Sequence, residues 1–331
     1  MSLRRLAPVA RRIAIDARAK LNLGLAVGPR RPDGFHDLVT VFQSVSLADT
    51  LVVEPRRRGF SLIVRRESVS SARAGEGTRF SGARKGTRSA GTGEVPVGKG
   101  NLVLEAARRY AEATELDAGA RFTLIKRIPV GAGMGGGSAD AAAAMMGLRA
   151  LYGLGTAREA LLELALAVGS DVPFAIFGGT ALGLGRGEGL TRIALEAPFR
   201  AVVAVPAWRV STALAFAQID RGKYGLTRRG VNIRSAQILG RKRLSAITLV
   251  RLGNTFEKVL GNRRSDFDSL CERLRLAGAV APRLTGSGSA VFGILGPGTS
   301  AQEVVRRFTG SETVFVVRSA RSALRWNAAE T

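Results

Sequence analysis

A glycine-rich segment contains the residues whose type and spacing most clearly indicate chemistry. Five of the seven residues from Gly131 to Gly137 are glycine, and Ser138 follows. Glycine adopts positive φ without steric cost and lets a ligand approach the backbone closely. Exposed backbone N–H groups bind phosphate oxygens well. The segment therefore predicts a phosphate-binding loop; a tight turn without a ligand is the alternative.

The elements around this loop are predicted to place it at the start of a helix. Phe122, Leu124 and Ile128 recur at even spacing before it, which indicates a strand. Residues 141–151 behind it are strong helix formers without proline. The free N–H groups and the positive dipole end of that helix would then face bound phosphates.

Three known kinds of phosphate loop can be compared with this segment. A P-loop requires Gly-Lys-Ser or Gly-Lys-Thr, but this loop ends in Gly-Gly-Ser. The spacing of its glycines satisfies G-x-G-x-x-G, but a dinucleotide site also expects a second strand with an acidic residue about 20 positions on. Residues 156–168 instead predict a helix that begins with a capping box of Thr156 and Glu159. A protein-kinase loop would be followed by a strand, which is also absent from the pattern.

The loop resembles the signature of the GHMP kinases, a family of small-molecule kinases. Pro129, Gly133 and Met134, followed by the triple glycine and Ser138, stand at the positions of that signature. The run Gly-Gly-Gly-Ser-x-Asp-Ala-Ala is similar to one branch of the family. Members of this branch phosphorylate a cytidine diphosphate-linked methylerythritol in non-mevalonate isoprenoid precursor synthesis.

Four further segments match the same branch in the same order along the chain. They are residues 17–23, 31–38, 169–174 and 283–292, which read Ala-Arg-Ala-Lys-Leu-Asn-Leu, Arg-Pro-Asp-Gly-Phe-His-Asp-Leu, Gly-Ser-Asp-Val-Pro-Phe and Arg-Leu-Thr-Gly-Ser-Gly-Ser-Ala-Val-Phe. Arg18 replaces the proline that is usual in the first of them. The resemblance therefore extends from about residue 17 to about residue 293.

The resemblance implies an α+β fold with two domains. A ribosomal protein S5 domain 2-like, ATP-binding domain is expected over residues 1–193, with a basic low-complexity insertion at about 56–95. A ferredoxin-like domain is expected over residues 194–331, and the substrate would lie in a cleft between the two. The periodicity predicts helices near 101–114, 157–168, 212–218, 255–277 and 301–308, strands at 201–205 and 313–317, a hairpin at 283–295, and a glycine-rich exit segment at 177–190.

The resemblance also assigns a catalytic pair. Asp171 matches the aspartate that accepts the proton of the attacking hydroxyl, although the residue taken alone more often indicates a turn or a helix cap before Val172 and Pro173. Lys20 matches the lysine whose charge steadies the moving phosphoryl group. Lys20 lies in an apolar stretch, where a charge needs a partner, and Asn22 faces the same side of the predicted strand.

Substrate and cofactor contacts follow from the same matches. His36, the single histidine of the chain, is expected to bind the edge of the substrate's cytosine ring. Phe35 and Phe216 are expected to stack on the two faces of that ring. Mg²⁺ is expected to arrive with ATP; Ser138 either binds it or caps the helix, and Asp140, where asparagine is common, either repels phosphate or joins the metal shell. The remaining substrate residues are Asn22, Phe42, Thr212, Gly286 and Ser287, and the ATP-binding residues are Pro129, Gly131, Gly133, Met134, Gly135, Gly136, Gly137, Ser138 and Asp140.

The net charge of +24 is unusual for an enzyme that acts on a small molecule. Residues 56–92 contain nine Arg, one Lys and two Glu, and residues 221–243 contain six Arg, two Lys and no acid. Such segments are either solvated loops or surfaces for a polyanion, and their few aromatic residues limit nucleic-acid binding to unspecific phosphate contacts. A kinase-derived basic protein with a structural or RNA-associated role, and a GHMP kinase for another small alcohol, are therefore the alternative functions.

The cellular compartment is bounded by composition. Cys271 is the single cysteine, which excludes an intrachain disulfide and is compatible with a reducing compartment. No apolar run reaches the roughly 18 residues of a spanning helix, and no apolar signal region follows the first arginines. We therefore expect a bacterial cytosol or a plastid-like compartment, and no membrane partner.

Overall fold

Two β-sheets organise the chain in the computed structural model, which describes residues 6–67, 79–81, 100–308 and 312–327. The first sheet has the order β12-β1-β2-β5-β3, with the β6–β7 hairpin joined to β2. The second has the order β4-β11-β8-β10-β9. The strands are β1 (Ile13–Arg30), β2 (His36–Arg56), β3 (Phe60–Arg66), β4 (Arg79–Ser81), β5 (Gly119–Lys126), β6 (Thr180–Leu184), β7 (Gly189–Arg192), β8 (Arg200–Val205), β9 (Ala279–Leu284), β10 (Val291–Leu295), β11 (Thr313–Arg318) and β12 (Leu324–Trp326).

Helices cover the two sheets. Helices α1 to α4 belong with the first sheet, and α5 to α9 lie in the second half of the chain. Their bounds are α1 (Leu102–Ala113), α2 (Gly136–Leu151), α3 (Arg158–Val168), α4 (Val172–Phe177), α5 (Thr212–Gly222), α6 (Arg228–Leu239), α7 (Ala246–Val250), α8 (Arg264–Leu276) and α9 (Ala301–Arg306), with 3-10 turns at Thr255–Val259 and Gly261–Arg263. No helix within the described ranges combines the length and apolarity that a membrane crossing requires.

Small residues let α2 lie directly on the first sheet. Its alanines 141–144 are fully buried together with Leu148. A Cβ on Gly147 would come within 2.7 Å of the Val53 side chain on β2, so glycine is needed at this contact. The N-terminus of α2 is thereby held close to β1 and β2, where the site described below is formed.

The two sheets exchange one strand in each direction. β12 pairs with β1 of the first sheet, and β4 pairs with β11 of the second. The other strands change sheet between β7 and β8, at residues 193–199. The domain boundary at residues 193 and 194 remains a prediction. β4, which precedes it, lies in the second sheet, and β12, which follows it, lies in the first sheet.

Several local predictions differ from the structure. The capping box at Thr156 is wrong: α3 follows Ala157 without a side-chain cap, because the Thr156 hydroxyl is hydrogen-bonded to Tyr110 at 2.6 Å. Residues 177–190 contain β6 and the start of β7, and the predicted helix 255–277 is α-helical only from Arg264. Gly261 adopts a φ of +53° at this interruption.

The two basic segments are more regular than expected where the structure describes them. Residues 228–239 form α6 rather than a loop. Within the predicted insertion, β3 pairs in parallel with β5 as part of the first sheet. Residues 68–78 and 82–99 of the insertion lie outside the described residues.

Candidate active site

Lys20 and Asp171 form an ion pair at the centre of the candidate site. The Lys20 Nζ to Asp171 Oδ2 distance is 3.3 Å. Lys20 is buried, whereas about a third of the Asp171 side chain is exposed (32%). Lys20 Nζ also donates to Asn22 Oδ1 at 2.7 Å. The buried ammonium group therefore has its charge compensated, and the carboxylate remains accessible to a ligand.

Asp171 is positioned by α4, whose first residues are core residues. Val172, Pro173 and Phe174 are buried under the first sheet. Asp171 occupies the N-cap position, but its side chain makes no capping hydrogen bond. The carboxylate therefore faces Lys20 and does not serve the helix.

Asn22 connects Lys20 to the second half of the chain. Its Oδ1 also accepts the backbone N–H of Gly286 at 2.8 Å, and its backbone N–H donates to Thr285 Oγ1 at 3.0 Å. Its Nδ2 donates to Thr40 Oγ1 at 2.8 Å. Asn22, predicted as a substrate residue, thus fixes the lysine relative to the loop at Thr285–Gly288.

The glycine loop lies between Lys20 and this second loop. Gly131, Gly133 and Gly135 have φ values of +71°, +78° and +69°. A Cβ on Gly133 would be 2.3 Å from the Thr285 carbonyl oxygen, and one on Gly135 would be 2.9 Å from the Lys20 side chain. Glycine is required here by backbone conformation and by space.

A cavity of about 370 Å³ opens beside the glycine loop, within the usual range for small-molecule sites. Ser138 lies in the first turn of α2 and is half-buried, and its hydroxyl has no hydrogen-bond partner in the described part of the chain. Gly135 occupies the N-cap position, so Ser138 does not cap this helix. The lining contains every predicted ATP-binding residue together with Gly100, Asn101, Leu102 and Lys126.

Lys126, which the sequence analysis missed, joins two buried carboxylates at the wall of this cavity. Its Nζ donates to Asp140 Oδ2 at 2.8 Å and to Asp49 Oδ2. Asp49 Oδ1 accepts the backbone N–H groups of Arg127 at 2.5 Å and Ile128 at 2.9 Å. Asp49 and Lys126 therefore anchor the segment that enters the glycine loop.

Asp140 shares the Lys126 ammonium group with Asp49, and its pKa is shifted as a result. Burial raises the pKa of Asp140 well above its usual value, the charge of Asp49 raises it further, and Lys126 offsets only part of this. Burial lowers the pKa of Lys126, but Asp140 and Asp49 outweigh that effect and raise it. The Asp140 carboxyl thus faces Lys126, and its Oδ1 is shielded from solvent without a hydrogen-bond partner.

Two of the predicted base-binding residues, His36 and Phe216, meet between β2 and α5. His36 is buried, and its Nε2 lies 2.7 Å from Asp220 Oδ1. The Phe216 ring stacks on the His36 ring, with centroids 4.8 Å apart and planes inclined by 18°. Phe35 is 45% exposed and lies under the Arg186 guanidinium group at 3.7 Å. Asp220 could have been found from the sequence, because it follows Phe216 by four residues, one turn of a helix.

The remaining predicted substrate residues occupy different environments. Phe42 is almost fully buried and stacks on Phe174 at 4.7 Å, so it offers almost no surface to a ligand. Its ring instead packs against Lys20, whose Nζ lies 5.5 Å from the ring centroid. Thr212 is exposed and Ser287 is half-buried, and their hydroxyls are hydrogen-bonded to each other at 2.7 Å, which links α5 to the second loop. Nowhere in residues 6–67, 79–81, 100–308 and 312–327 do three or more His, Cys, Asp or Glu side chains cluster as a metal site would require.

Comparisons with known proteins agree with this geometry. The family model for the GHMP kinases N terminal domain matches residues 101–179, and that for the GHMP kinases C terminal domain matches residues 239–311. A 4-diphosphocytidyl-2-C-methyl-D-erythritol kinase from Pelotomaculum thermopropionicum is 37% identical over 305 residues, which are 92% of this chain and 96% of the relative.

Solved structures show the same relationship. A crystal structure of 4-(cytidine 5'-diphospho)-2C-methyl-D-erythritol kinase superposes with a TM-score of 0.68 at 32% identity, covering 93% of this chain and 99% of that one. Homoserine kinase from Cytophaga hutchinsonii shares the fold alone, with a TM-score of 0.65 at 16% identity, covering 98% of this chain and 100% of that one. These matches confirm the two-domain α+β fold predicted from the sequence. The chain belongs to the GHMP kinase family, and within it to the branch of the 4-diphosphocytidyl-2-C-methyl-D-erythritol kinases.

Proposed function

We propose that this chain transfers the γ-phosphoryl group of ATP to the 2-hydroxyl of 4-diphosphocytidyl-2-C-methyl-D-erythritol, in non-mevalonate isoprenoid precursor synthesis. The observation that carries this proposal is the ion pair of Lys20 with the partly exposed Asp171, 3.3 Å apart, beside a glycine loop at the start of α2. The relatives that bear this enzyme name match almost the whole chain, which supports the same acceptor.

The ion pair has the chemistry that phosphoryl transfer requires. A carboxylate that solvent and substrate can reach is able to accept the proton of the attacking hydroxyl. The Lys20 ammonium, held by Asn22 and Asp171, is preorganised to stabilise negative charge on the transferred group. The chain therefore contributes mainly positioning and charge, as is typical of phosphoryl transfer.

The glycine loop and α2 suit the ATP phosphates. Backbone N–H groups from Gly133 to Ser138 would hold the phosphate oxygens at the helix N-terminus. The free hydroxyl of Ser138 is the protein oxygen at this position that would hold Mg²⁺. When bound, the metal neutralises charge on the β- and γ-phosphates. We do not assign the metal to Asp140, because its carboxyl is buried and its Oδ2 accepts a hydrogen bond from Lys126.

His36 is suited to distinguish cytosine from uracil. In a neutral imidazole, a carboxylate at this distance from Nε2 selects the tautomer with Nε2–H, which leaves Nδ1 as an acceptor without a partner among the described residues. Such an acceptor fits the exocyclic amino group of cytosine, whereas uracil has a carbonyl oxygen at that position. A cytidyl substrate should therefore be preferred to its uridyl analogue.

The decisive test is the variant Asp171→Asn, assayed for ADP release with MgATP and the cytidyl substrate. We expect turnover to fall by about 10² to 10⁴, the usual contribution of a general base. The far-UV circular dichroism spectrum should remain that of the wild type. Asp268→Asn, which changes an exposed carboxylate on α8, is the matched control and should retain full activity. Wild-type turnover in the Asp171 variant would disprove the assigned role.

The acceptor itself is tested with a substrate panel. The wild-type protein is assayed with the cytidyl substrate, its uridyl analogue, mevalonate and homoserine, since kinases of the last two share the fold. We expect phosphorylation of the cytidyl compound alone. Faster phosphorylation of any other acceptor would identify a different GHMP substrate.

A specific surface favours polyanion binding as a second property. Arg228, Arg229, Arg241 and Lys242 are exposed on and after α6, and they form no ion pair within the described ranges. We infer that residues 221–243 bind phosphate backbones without sequence preference. The affinity for a labelled single-stranded RNA, measured by fluorescence anisotropy, should fall at least about tenfold between 50 and 200 mM salt. No binding at low salt, or binding that high salt leaves unchanged, would contradict this inference.

A further inference from the structure

A second cavity, of about 450 Å³, opens outside the candidate active site. It lies where strands β2, β6 and β7 of the first sheet meet three other segments. These are residues 195–198, the loop after α6, and residues 319–321. It is larger than the cavity beside the glycine loop and shares no lining residue with it. It is called the arginine cavity below.

The charge of the arginine cavity is unbalanced. Arg192, Arg243 and Arg321 line it, and Glu196 is the one carboxylate in its described lining. None of the three arginines forms an ion pair with any residue that the structure describes. Arg192 donates to the carbonyl oxygens of Gly178 at 2.5 Å and Phe177 at 3.1 Å, and its guanidinium group packs on the Phe177 ring. These contacts hold the side chain in place without neutralising its charge.

The other two arginines are held loosely or not at all. Arg243 donates to the carbonyl oxygens of Leu195 and Glu196 at 3.3 to 3.4 Å, which are long hydrogen bonds. The guanidinium group of Arg321 has no hydrogen-bond partner among the described residues. Burial, reinforced by the nearby charge of Arg158, lowers the pKa of Arg192, as expected for a cation that lacks a counter-ion.

The rest of the lining divides into a polar and an apolar part. Gln43 and Thr180 are buried and hydrogen-bonded to each other at 2.6 Å, so the polar floor is rigid. Ile193, Leu195 and Pro198 supply apolar surface beside the arginines. A fitting ligand therefore combines a multiply charged anionic group with a small apolar group.

We propose that the arginine cavity binds a small organic phosphate or diphosphate, at a site separate from those for ATP and the acceptor. The N–H donors of Arg321, which lack a partner among the described residues, can pair with phosphate oxygens, and Arg243 is held only by long hydrogen bonds that such a ligand could replace. Arg192, whose donors are taken by backbone carbonyls, adds positive charge that favours the same anion. The cavity volume is large enough for a diphosphate with a short organic substituent.

The position of the cavity gives such a ligand a route to the catalytic lysine. Gln43 pairs with Leu21 across β1 and β2, and Ser44 pairs with Lys20. Successive strand residues point to opposite faces, so the arginine cavity lies behind the strand whose other face presents Lys20. A bound ligand would therefore affect Lys20 through strands β1 and β2, and it would not occupy the acceptor site.

The test is calorimetric titration of the full chain in Mg²⁺-free buffer, with inorganic pyrophosphate, butyl diphosphate and ADP as probes. Each titration is repeated with the active site saturated by CDP and a non-hydrolysable ATP analogue. We expect one site per chain that survives saturation. Butyl diphosphate should bind more tightly than pyrophosphate, because Ile193, Leu195 and Pro198 supply apolar surface. Tighter binding of ADP than of butyl diphosphate would contradict a small apolar substituent.

Two variants locate the site. Arg243→Gln with Arg321→Gln should weaken pyrophosphate binding at least tenfold and leave kcat/KM for the kinase reaction within twofold. Arg57→Gln with Arg58→Gln removes the same charge from the exposed turn between β2 and β3 and should leave pyrophosphate binding unchanged. The proposal is overturned if the binding heat disappears when the active site is saturated. It is also overturned if both double variants weaken binding equally, or if neither does.

Discussion

His36 is oriented by Asp220 on α5, although the residues are 184 positions apart and on different elements. Stacking on Phe216 fixes the plane of the imidazole, and the carboxylate fixes which nitrogen carries the proton. Base recognition would therefore depend on one residue that touches the base and on another that touches only the histidine.

Asp220→Asn tests this dependence. The amide can present its N–H to Nε2 and reverse the tautomer, which places a donor opposite the donor of the cytosine amino group. We expect KM for the cytidyl substrate to rise about tenfold, which corresponds to about 1.4 kcal/mol. KM for ATP should change less than twofold. An equal rise in both constants would instead indicate a general structural defect, and Asp268→Asn again serves as the control.

Asp140 makes the stability of the protein depend on pH. Burial raises its pKa, so the folded state holds this proton more tightly than the unfolded chain does. The resulting stabilisation is fully present below the unfolded pKa of about 3.9 and is lost as pH rises through the higher folded value. Asp140→Asn should remove this loss, so the free energy of unfolding of the variant, measured with urea, should decline less as pH rises above the unfolded pKa of about 3.9.

Asp16→Asn is the opposite control for that experiment. Burial raises the pKa of Asp16, but hydrogen bonds from Thr50, Arg325 and Asn327 outweigh this and lower it. Its stabilisation is present above the unfolded pKa and is lost as pH falls, so the Asn variant should be destabilised at neutral pH. A pH dependence that Asp140→Asn leaves unchanged would show that another group is responsible.

A residue could be predicted where a sequence motif contains it. A residue was missed where its role depends on a contact that only the fold creates. Lys20, His36 and Asp171 stand in recognisable segments. Lys126 reads as an ordinary strand lysine, because its partner Asp49 is 77 positions away and becomes a neighbour only through the pairing of β2 with β5.

The glycine loop depends on individual glycines to different degrees. Gly133 has positive φ, and a Cβ on it would lie 2.3 Å from the Thr285 carbonyl oxygen. A Cβ on Gly137 would have only the Leu102 side chain nearby, at 3.4 Å. Gly133→Ala should destabilise the protein by at least about 2 kcal/mol and weaken ATP binding, because backbone strain alone accounts for about 1 to 3 kcal/mol.

Gly137→Ala is the matched control for the loop. Its melting temperature should stay within about 2 °C of the wild type, since a Cβ at this position meets ordinary van der Waals contact. Thermal unfolding and ATP titration of the two variants measure both effects. If Gly133→Ala were as stable as Gly137→Ala, the close approach of the two loops would be refuted.

Elements with clear periodicity were found, and those that depart from it were not. β6 contains Gly183 because a Cβ there would lie 2.7 Å from the Phe42 ring, yet the glycines around it suggested a loop. Helix α6 buries only Ser235 and Ile238, so its sequence has no apolar stripe that could have indicated a helix. In both cases packing against other elements outweighs local propensity.

At the scale of the whole molecule, the single cysteine reports on folding of the second half. Burial, followed by the charge of Glu257, raises the pKa of Cys271 to about 12. At pH 8 the folded thiol should therefore be alkylated by iodoacetamide at least about 10³-fold more slowly than a free thiol with a pKa of about 8.5.

Alkylation should accelerate only as α8 unfolds. Mass spectrometry across a urea series should give the same midpoint as circular dichroism, with N-acetylcysteine as the freely reactive control. Complete labelling of the native protein, within the time that the control requires, would contradict the buried position of the thiol.

The strand exchange also determines when, during synthesis, the protein can become active. The second loop that holds Asn22 begins at Thr285, and β12 reaches its place beside β1 only with residues 324–326. A nascent chain that already contains Lys20, the glycine loop and Asp171 still lacks the partners of Asn22 and the edge of the first strand. On the ribosome, ATP turnover should therefore appear only after residues 285–326 have left the exit tunnel.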